Sequence, residues 1–295
     1  MTAPLDTPLH RQLVSILAAN REDSYATQRK RGDHLENAAL ILHSRFGLQK
    51  WDNLKQKHVE HIIHEWKRTD LGHRAIDEKL SHLRWLVRKI GKANLVPRTN
   101  AELEIEPGPR HTRAGKIIAD ADLREKLSKV SDPRVRAMML LARHLGMRFE
   151  EAALFRPGCD AYACRVWVKR GTKGGRPRYL FLYNAQQVQA LEFARNLTEG
   201  NRGLIPEEYP TYEQWRQHVY PILRAAGMSR KTDEIFHDLR RTFIVERMDY
   251  LVKVRGRSRD DAATLVAREV GHHRAEVLKW YLAASEVQAS SERHG

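Results

Sequence analysis

Apolar residues recur at three- and four-residue intervals through the first third of the chain, from Tyr25 to about Lys92. This period places them on one face of an α-helix, with charged residues on the opposite face. The pattern predicts three helices, and the polar stretch T-D-L-G-H-R separates the second from the third. The apolar positions of the three helices are, in order, Leu35, Ala38, Ala39, Leu42 and Phe46; Val59, Ile62, Ile63 and Trp66; and Ile76, Leu80, Leu83, Leu86 and Val87.

Proline and glycine divide the chain into two parts. Residues 98–116 include Pro107 and Pro109 and show little apolar periodicity, so they are predicted to form a linker. The linker separates a helical domain at 1–97 from a second domain at 117–295, and the chain is long enough for each domain to bury its own core.

The second domain is predicted to be helical apart from one hairpin. Apolar periodicity indicates helices at about 120–130 and 132–145, and Gly146 follows the second of them. β-Branched and aromatic residues cluster at 165–168 and 179–182, and the G-T-K-G-G between these clusters is a turn signal. Helices separated by polar breaks follow from Ala185. The predicted fold class is therefore mainly α with a small β-hairpin.

Basic residues outnumber acidic ones, since 52 Lys and Arg against 37 Asp and Glu give a formal net charge of +15 over 295 residues. Such an excess favours a polyanionic partner, because each neutralised phosphate of a nucleic acid releases condensed counterions. Two alternatives are a basic protein without a nucleic-acid role and a protein that binds membrane surfaces. Membrane binding is disfavoured, because no lipid-facing amphipathic helix concentrates the basic residues.

The remaining composition predicts a cytoplasmic protein. No apolar run approaches the ~18 residues of a membrane span, and the N-terminus lacks the basic start and apolar stretch of a secretory signal. Cys159 and Cys164 lack the second half of a zinc site and are interpreted as ordinary small side chains near a strand. The sequence therefore predicts neither a metal nor a cofactor.

Two basic clusters are predicted to bind DNA through its backbone phosphates. For any single basic side chain a solvated surface is the plainer interpretation, and it is the clustering that favours phosphate contacts. The cluster in the helical domain includes Arg29, Lys30 and Arg31. The cluster around the hairpin turn consists of Lys169, Arg170, Arg176 and Arg178.

Residues suited to phosphodiester chemistry are spread along the second domain. Tyr281 follows His272 by nine positions in G-H-H-R-A-E-V-L-K-W-Y. A tyrosine can attack a phosphodiester without metal if cations favour its ionised form, because its free pKa is ~10. Planar guanidinium groups suit the negative charge that develops on the phosphorane oxygens. The upstream candidates are Arg148 in G-M-R-F-E-E, Lys173 in G-T-K-G-G, and His237 and Arg240 in H-D-L-R-R.

This order of motifs resembles the tyrosine recombinase family, the phage-type integrases, from about Ile117 onward. The resemblance implies a C-shaped clamp of two domains around duplex DNA, with a helical DNA-binding bundle preceding the catalytic domain. It implies that Arg148 and Arg240 clamp the scissile phosphate and that Glu151 supports this pocket. In the family the lysine of the hairpin turn protonates the leaving 5′ oxygen, which favours Lys173. Lys169 remains a rival, because hairpin register is not readable from sequence.

The resemblance also assigns the remaining catalytic roles. Tyr281 is the implied nucleophile, forming a 3′-phosphotyrosyl link, and the neighbouring Trp280 is the implied packing residue. His237 either accepts the tyrosine proton or hydrogen-bonds the phosphate. His272, rather than His273, is the implied hydrogen-bond donor to the phosphate.

The family pattern further implies a tetramer on DNA, coupled through the tail after Tyr281, and accessory DNA-bending proteins. One departure is the 31 residues between Arg240 and His272, more than is usual in the family, which predicts an extended helix or an inserted loop. Three other functions remain open: a type IB topoisomerase, a non-catalytic DNA-binding regulator, and a metal-dependent nuclease with histidine ligands.

Overall fold

The computed structural model describes residues 7–69, 71–105, 116–200, 202–228, 232–272 and 278. The chain divides into two compact units, residues 1–112 and 113–295. Within the described ranges, no helix combines the length and the apolar character that crossing a membrane requires.

Helices build the described part of the N-terminal unit. They are α1 (Pro8–Ala19), α2 (Tyr25–Phe46), α3 (Gln56–Arg68) and α4 (His73–Lys89), with short 3-10 turns at Trp51–Asn53, Ala93–Leu95 and Ala101–Leu103. The three helices predicted from apolar periodicity are confirmed as α2, α3 and α4. All of the periodic apolar positions named for them are buried except Phe46, which lies at the C-terminal end of α2.

Helix α1 was not among the predicted helices. Its signal lies in Thr7 and Pro8, because the Thr7 Oγ1 accepts a hydrogen bond from the backbone N–H of His10 at 3.2 Å and Pro8 occupies the first turn. Leu9 and Leu13 then lie one turn apart on the buried face. A short amphipathic helix beginning at a Thr-Pro pair is thus readable in the sequence.

Helix α6 forms the centre of the C-terminal unit and packs against α9 and α11. Its side chains Met138, Leu141 and Leu145 are fully buried in the core. The helices of this unit are α5 (Asp120–Lys129), α6 (Pro133–Leu145), α7 (Phe149–Leu154), α8 (Pro157–Asp160), α9 (Ala185–Asn196), α10 (Tyr212–Ala225), α11 (Thr232–Asp249) and α12 (Arg259–Glu269). The predicted helices at 120–130 and 132–145 are confirmed as α5 and α6.

Both ends of α6 follow from local chemistry. The Asp132 carboxylate accepts hydrogen bonds from the backbone N–H groups of Arg134 (2.7 Å) and Val135 (3.3 Å), which caps the N-terminus. Gly146 ends the helix with a left-handed backbone at φ +60°, and a Cβ at this position would collide with the ring of Phe243. The chain therefore turns sharply just before Arg148.

The predicted hairpin is confirmed as an antiparallel pair of strands, β1 (Arg165–Val168) and β2 (Arg178–Phe181). Side chains alternate between the core and solvent along both strands. Val166, Val168 and Leu180 point to the core, and Arg178, which pairs with Val168, lies on the same buried face. The loop between the strands carries the remaining basic residues of the predicted cluster.

The long interval between Arg240 and His272 consists mainly of helix. After α11 ends at Asp249, a π-helical turn covers Tyr250–Val254, and α12 then begins after its N-cap Ser258. The interval, predicted to hold an extended helix or an inserted loop, thus holds helical segments and a short exposed turn in which Gly256 has φ +62°. Helix α12 ends at Glu269, and the buried Val270 connects it to Gly271 and His272.

Candidate active site

Arg148 lies where the chain leaves α6 and enters α7. It occupies the N-cap position of α7, and its backbone N–H donates to Oε2 of Glu151 at 2.8 Å. Its guanidinium Nη1 also donates to Oε1 of Glu151, at 2.7 Å. The spacing R-x-x-E thus caps the helix and orients the arginine with one carboxylate. The Arg148 side chain keeps 20% of its surface exposed.

Glu151 is the buried centre of an arginine cluster. Nη1 and Nη2 of Arg178 donate to its two oxygens at 2.7 Å each, and Nη1 of Arg240 lies 3.7 Å from Oε2. Burial alone raises the pKa of a carboxyl, but the bonds and charge of Arg178, together with the charges of Arg240 and Arg148, hold the pKa of Glu151 at about 2. The carboxylate is therefore ionised throughout the physiological range.

Arg240 projects from α11 into the same cluster and is 1% exposed. Nη1 donates to the carbonyl of Gly146 and Nη2 donates to the carbonyl of Val270. These bonds join the end of α6, the helix α11 and the segment after α12 at one guanidinium. The two predicted clamp residues, Arg148 and Arg240, thus share Glu151 although 92 positions separate them.

Gly271 and His272 lie next to the arginine cluster. Gly271 has φ +66°, and a Cβ there would lie 3.3 Å from Cδ of Arg178 and 3.6 Å from Nη1 of Arg148. The backbone N–H of His272 donates to the carbonyl of Ala267 at 2.7 Å. Burial, followed by the charges of Arg240 and its neighbours, lowers the pKa of His272 to about 3, so its imidazole is neutral at pH 7.

A cavity of about 690 Å³ opens beside the cluster. Its lining includes Arg148, Arg178 and His272, and also Lys173 and Arg176 of the hairpin loop, which are exposed. With Arg268, the cavity lining thus combines five cationic side chains with the carboxylate of Glu269 and a neutral imidazole. Such a site suits a phosphate group, because guanidinium and ammonium groups bind its oxygens with charge-assisted hydrogen bonds.

The structure separates the two candidate lysines of the hairpin. Lys173 lines the cavity. Nζ of Lys169 instead lies 3.2 Å from Oδ1 of the buried Asp160 and 4.3 Å from the centre of the Trp167 ring. Arg170 pairs with the same Asp160. Asp160 therefore holds Lys169 and Arg170 together, while Lys173 faces the cavity.

His237 is exposed and lies one helical turn before Arg240 on α11. Leu239, between them, is buried in the core as predicted. Tyr281, Trp280 and His273 lie outside the described residues.

Two of the arginines predicted to contact DNA are buried. Arg178 is 8% exposed, and besides Glu151 its Nε donates to the backbone carbonyl of Glu269 at 2.6 Å. Arg31 is 4% exposed, pairs with Asp23 and lies 4.2 Å from the ring centre of Trp85. These positions differ from an exposed phosphate contact, because each guanidinium already has carboxylate and packing partners inside its own unit.

The remaining predicted DNA contacts lie nearer to solvent. Arg29 and Arg176 are exposed, and Lys30 is exposed but pairs with Glu78 at 2.6 Å. Strand parity could have revealed the position of Arg178, since it shares its face with Leu180 two residues on. Arg178 was instead grouped with the many other basic residues around the turn, and its strand parity was not considered.

A second buried ion pair supports the end of α12. Nε and Nη2 of Arg247 donate to the two carboxylate oxygens of Glu269 at 2.9 and 2.7 Å. The Arg247 guanidinium also lies 4.0 Å from the ring centre of Tyr183, whose pKa burial raises to about 12. Sequence reasoning did not single out this pair, and the separation of 22 positions offers no local signal.

Comparisons with known proteins agree with this geometry. The profile described as "Phage integrase, N-terminal" matches residues 7–96, and the profile described as "Integrase" matches residues 110–246. A comparison with curated proteins finds no match. The described fold and the two profiles define a DNA strand-transfer protein of the integrase class.

Solved structures share the fold at low sequence identity. A lambda integrase (residues 75–356) dimer bound to a COC′ core site has 16% identity and a TM-score of 0.63, covering 92% of this chain and 94% of that one. XerH recombinase in a post-cleavage complex with palindromic difH has 15% identity and a TM-score of 0.58, covering 99% and 90%. The Tn1549 transposon integrase with circular intermediate DNA has 11% identity and a TM-score of 0.56, covering 96% and 99%. The chain belongs to the tyrosine recombinase family.

Proposed function

We propose that this protein is a site-specific DNA recombinase that cleaves and rejoins duplex DNA through a 3′-phosphotyrosyl intermediate. The observation that carries the proposal is the convergence of Arg148, Arg178 and Arg240 on the single carboxylate of Glu151, beside a cavity lined by His272 and Lys173. Three guanidinium charges against one carboxylate leave an excess of two positive charges. A bound phosphodiester offsets one of these charges, and its phosphorane, which carries a further negative charge, offsets both.

In the proposed reaction, the phenolate oxygen of Tyr281 attacks the scissile phosphorus. The bond between phosphorus and the 5′ oxygen breaks as the tyrosyl–phosphorus bond forms, and Lys173 donates a proton to the departing oxygen. The phenol proton passes to His237 or to solvent. A 5′ hydroxyl from a partner duplex reverses these steps and joins the strands. The phosphotyrosyl bond retains the energy of the phosphodiester, so no nucleotide is consumed.

Positioning in this proposal depends on the arginine cluster. Arg148 is the partly exposed clamp at the cavity, and Arg240 is the buried clamp that also fixes the backbone at Gly146 and Val270. A neutral His272 can still donate one N–H to a phosphate oxygen. Because His272 is uncharged at pH 7, it contributes to phosphate binding through this hydrogen bond and not through a positive charge.

DNA binding in the proposal involves both units. The helical region 1–97 supplies phosphate contacts such as Arg29, and the hairpin loop of the catalytic region 117–295 supplies Arg176, with 98–116 as the linker. Assembly of a tetramer through the tail after Tyr281, assistance by DNA-bending proteins and action in the cytoplasm are parts of the same proposal.

A nicked suicide substrate tests the proposed function. Incubation with this DNA in EDTA is expected to give a covalent protein–DNA product that Tyr281→Phe does not form. Absence of the product with the natural site would favour a non-catalytic regulator, and cutting that EDTA abolishes would favour a nuclease. Joining of two marked duplexes is then expected, whereas relaxation of supercoils without joining would identify a type IB topoisomerase.

A further inference from the structure

Three potential metal ligands share one turn of α3, in the N-terminal unit. His61, His64 and Glu65 each offer one ligand atom, and these atoms lie within 4.8 Å of one another. The residues are spaced i, i+3 and i+4, which puts their side chains next to each other on the helix surface. The turn belongs to H-I-I-H-E and is separate in sequence from every residue of the candidate active site.

The backbone that carries these ligands is held firmly. The opposite face of α3 buries Val59, Ile62 and Trp66 in the core of the unit. The imidazole of His61 packs edge-to-face against the Phe46 ring, with 5.2 Å between ring centres. A fixed helix and a restrained ring reduce the conformational entropy that a ligand must remove when it binds.

The chemistry of the donors selects the ion. We propose that His61, His64 and Glu65 form a binding site for a divalent transition metal, with Zn²⁺ as the representative ion. Two imidazole nitrogens and one carboxylate oxygen suit Zn²⁺, Ni²⁺ and Cu²⁺, whereas Mg²⁺ and Ca²⁺ prefer sites built from oxygen alone. Three protein ligands leave the fourth tetrahedral position to water. This site is independent of the proposed recombinase activity.

The guanidinium of Arg68 should weaken metal binding at this site, and this expectation can be tested. Its Nη1 lies 3.1 Å from Oε1 of Glu65, the same oxygen that Nδ1 of His64 approaches at 3.5 Å. An arriving cation competes with this guanidinium for the carboxylate and is repelled by its charge. Removal of Arg68 is therefore expected to strengthen metal binding, while removal of a ligand weakens it.

The experiment titrates Zn²⁺ into the tag-free full-length chain by calorimetry, with thermal unfolding measured in parallel. We expect Zn²⁺ to raise the Tm, His64→Ala and Glu65→Gln each to weaken binding by about tenfold or more, and Arg68→Gln to tighten it by about two- to fivefold. His73→Ala, which removes an exposed histidine from α4, serves as the matched control and is expected to leave Zn²⁺ affinity unchanged.

His64 is two-thirds exposed, so its replacement leaves the core intact, and the circular dichroism spectrum of the variant checks this. Equal Zn²⁺ affinity in the wild type, His64→Ala and Glu65→Gln would overturn the proposal, as would a weaker rather than tighter affinity in Arg68→Gln. Mg²⁺ is expected not to compete with Zn²⁺. DNA cleavage by the same preparations reports on the proposed recombinase separately, since none of these residues belongs to the arginine cluster.

Discussion

Arg178 and Glu151 form a buried, two-pronged ion pair, in which Nη1 and Nη2 each lie 2.7 Å from a different carboxylate oxygen. Because Arg178 occupies both oxygens, it limits how far Glu151 neutralises the two clamp arginines. It also reaches the carbonyl of Glu269 through Nε, so the strand β2 and the end of α12 are joined at this side chain. The pair therefore sets both the charge and the position of the surrounding cluster.

Replacement of Arg178 is expected to lower both the free energy of unfolding and the rate of DNA cleavage. Arg178→Gln leaves a buried carboxylate without its main partner, a change that typically destabilises a protein by about 3–5 kcal/mol. The freed Glu151 is then expected to bind Arg148 and Arg240 more tightly, which weakens their hold on a phosphate. Chemical denaturation measures the first effect, and the rate of covalent complex formation on the suicide substrate measures the second.

The double variant Arg178→Gln, Glu151→Gln separates charge balance from packing. If the charge of Glu151 causes the defect, its removal should restore part of the cleavage rate and of the unfolding free energy. A double variant no better than Arg178→Gln would contradict this account. Lys253→Gln, which breaks an exposed pair with Asp249, is the matched control and is expected to change stability by less than about 0.5 kcal/mol.

Periodicity and turn signals were sufficient to predict much of the fold. The helices α2, α3 and α4 were readable because their apolar residues follow the helical repeat, and the hairpin was readable because a glycine-rich turn separates two clusters of strand-forming residues. Helix α1 was missed although Thr7 and Pro8 signal its start. These signals are local, so they can be recognised without knowledge of the tertiary fold.

The candidate site was predictable in its residue types but not in its distances. The motif order placed Arg148, Arg240 and His272 in one proposed pocket supported by Glu151, whereas only the tertiary fold gives the distances from the two arginines to its carboxylate. The choice between Lys173 and Lys169 depends on the hairpin loop and on Asp160, which sequence does not relate to either lysine. Similarly, counting basic residues around the turn could not distinguish the buried Arg178 from the exposed Arg176.

If Lys173 is the proton donor to the leaving oxygen, replacing Lys173 and replacing Lys169 should affect DNA cleavage differently. Lys173→Ala is expected to slow cleavage of an ordinary strand, and a 5′-bridging sulfur in place of the leaving oxygen should restore the rate, because a thiolate departs without a proton donor. Lys169→Ala is the matched control and is expected to cleave both substrates at similar relative rates to the wild type. Rescue of Lys169→Ala rather than Lys173→Ala by sulfur would reverse the assignment.

Gly271 is expected to be irreplaceable by alanine for two separable reasons. A left-handed backbone costs a residue with a Cβ about 1–2 kcal/mol, and the new methyl group would also press on Arg178, 3.3 Å from its Cδ. Gly256 has a similar φ of +62°, but no atom lies within 4 Å of the position that a Cβ would occupy there, so Gly256→Ala carries the backbone cost alone. The unfolding free energy and cleavage rate of Gly271→Ala should therefore fall below those of Gly256→Ala, and equal losses would show that the contact is unimportant.

Because the pKa of His272 is lowered in the folded protein, the stability of the protein should fall as the pH is lowered. Its pKa in the folded protein is about 3 against an ordinary 6.5, so between these pH values the unfolded chain binds the proton more readily. Stability is therefore lost as the pH falls below about 6.5, and His272→Gln should show a shallower loss over this window. NMR titration of the imidazole measures the pKa directly, and a value near 6.5 would contradict the described environment.

Bound phosphate should raise the pKa of His272, because its negative charge offsets that of the arginines around the cavity. The same NMR titration, repeated with a short duplex, tests this expectation. His144 is an internal control: burial and then the charge of Arg143 lower its pKa to about 4, and it is not among the residues that line the cavity. A shift of both histidines by the same amount would indicate a general change of the fold rather than a phosphate beside His272.

Arg29 and Arg31 are two residues apart on α2, but they should affect DNA binding in different ways. Arg29 is exposed, so Arg29→Gln is expected to reduce the slope of log affinity against log salt by about 1, the effect of one lost phosphate contact. Arg31 pairs with Asp23 and packs on Trp85 inside the bundle, so Arg31→Gln should lower the Tm and leave the slope unchanged. Salt-dependent binding measured below the Tm of each variant distinguishes them. An unchanged slope in Arg29→Gln would remove it from the DNA interface, and a reduced slope in Arg31→Gln would mean that its guanidinium leaves Asp23 to reach a phosphate.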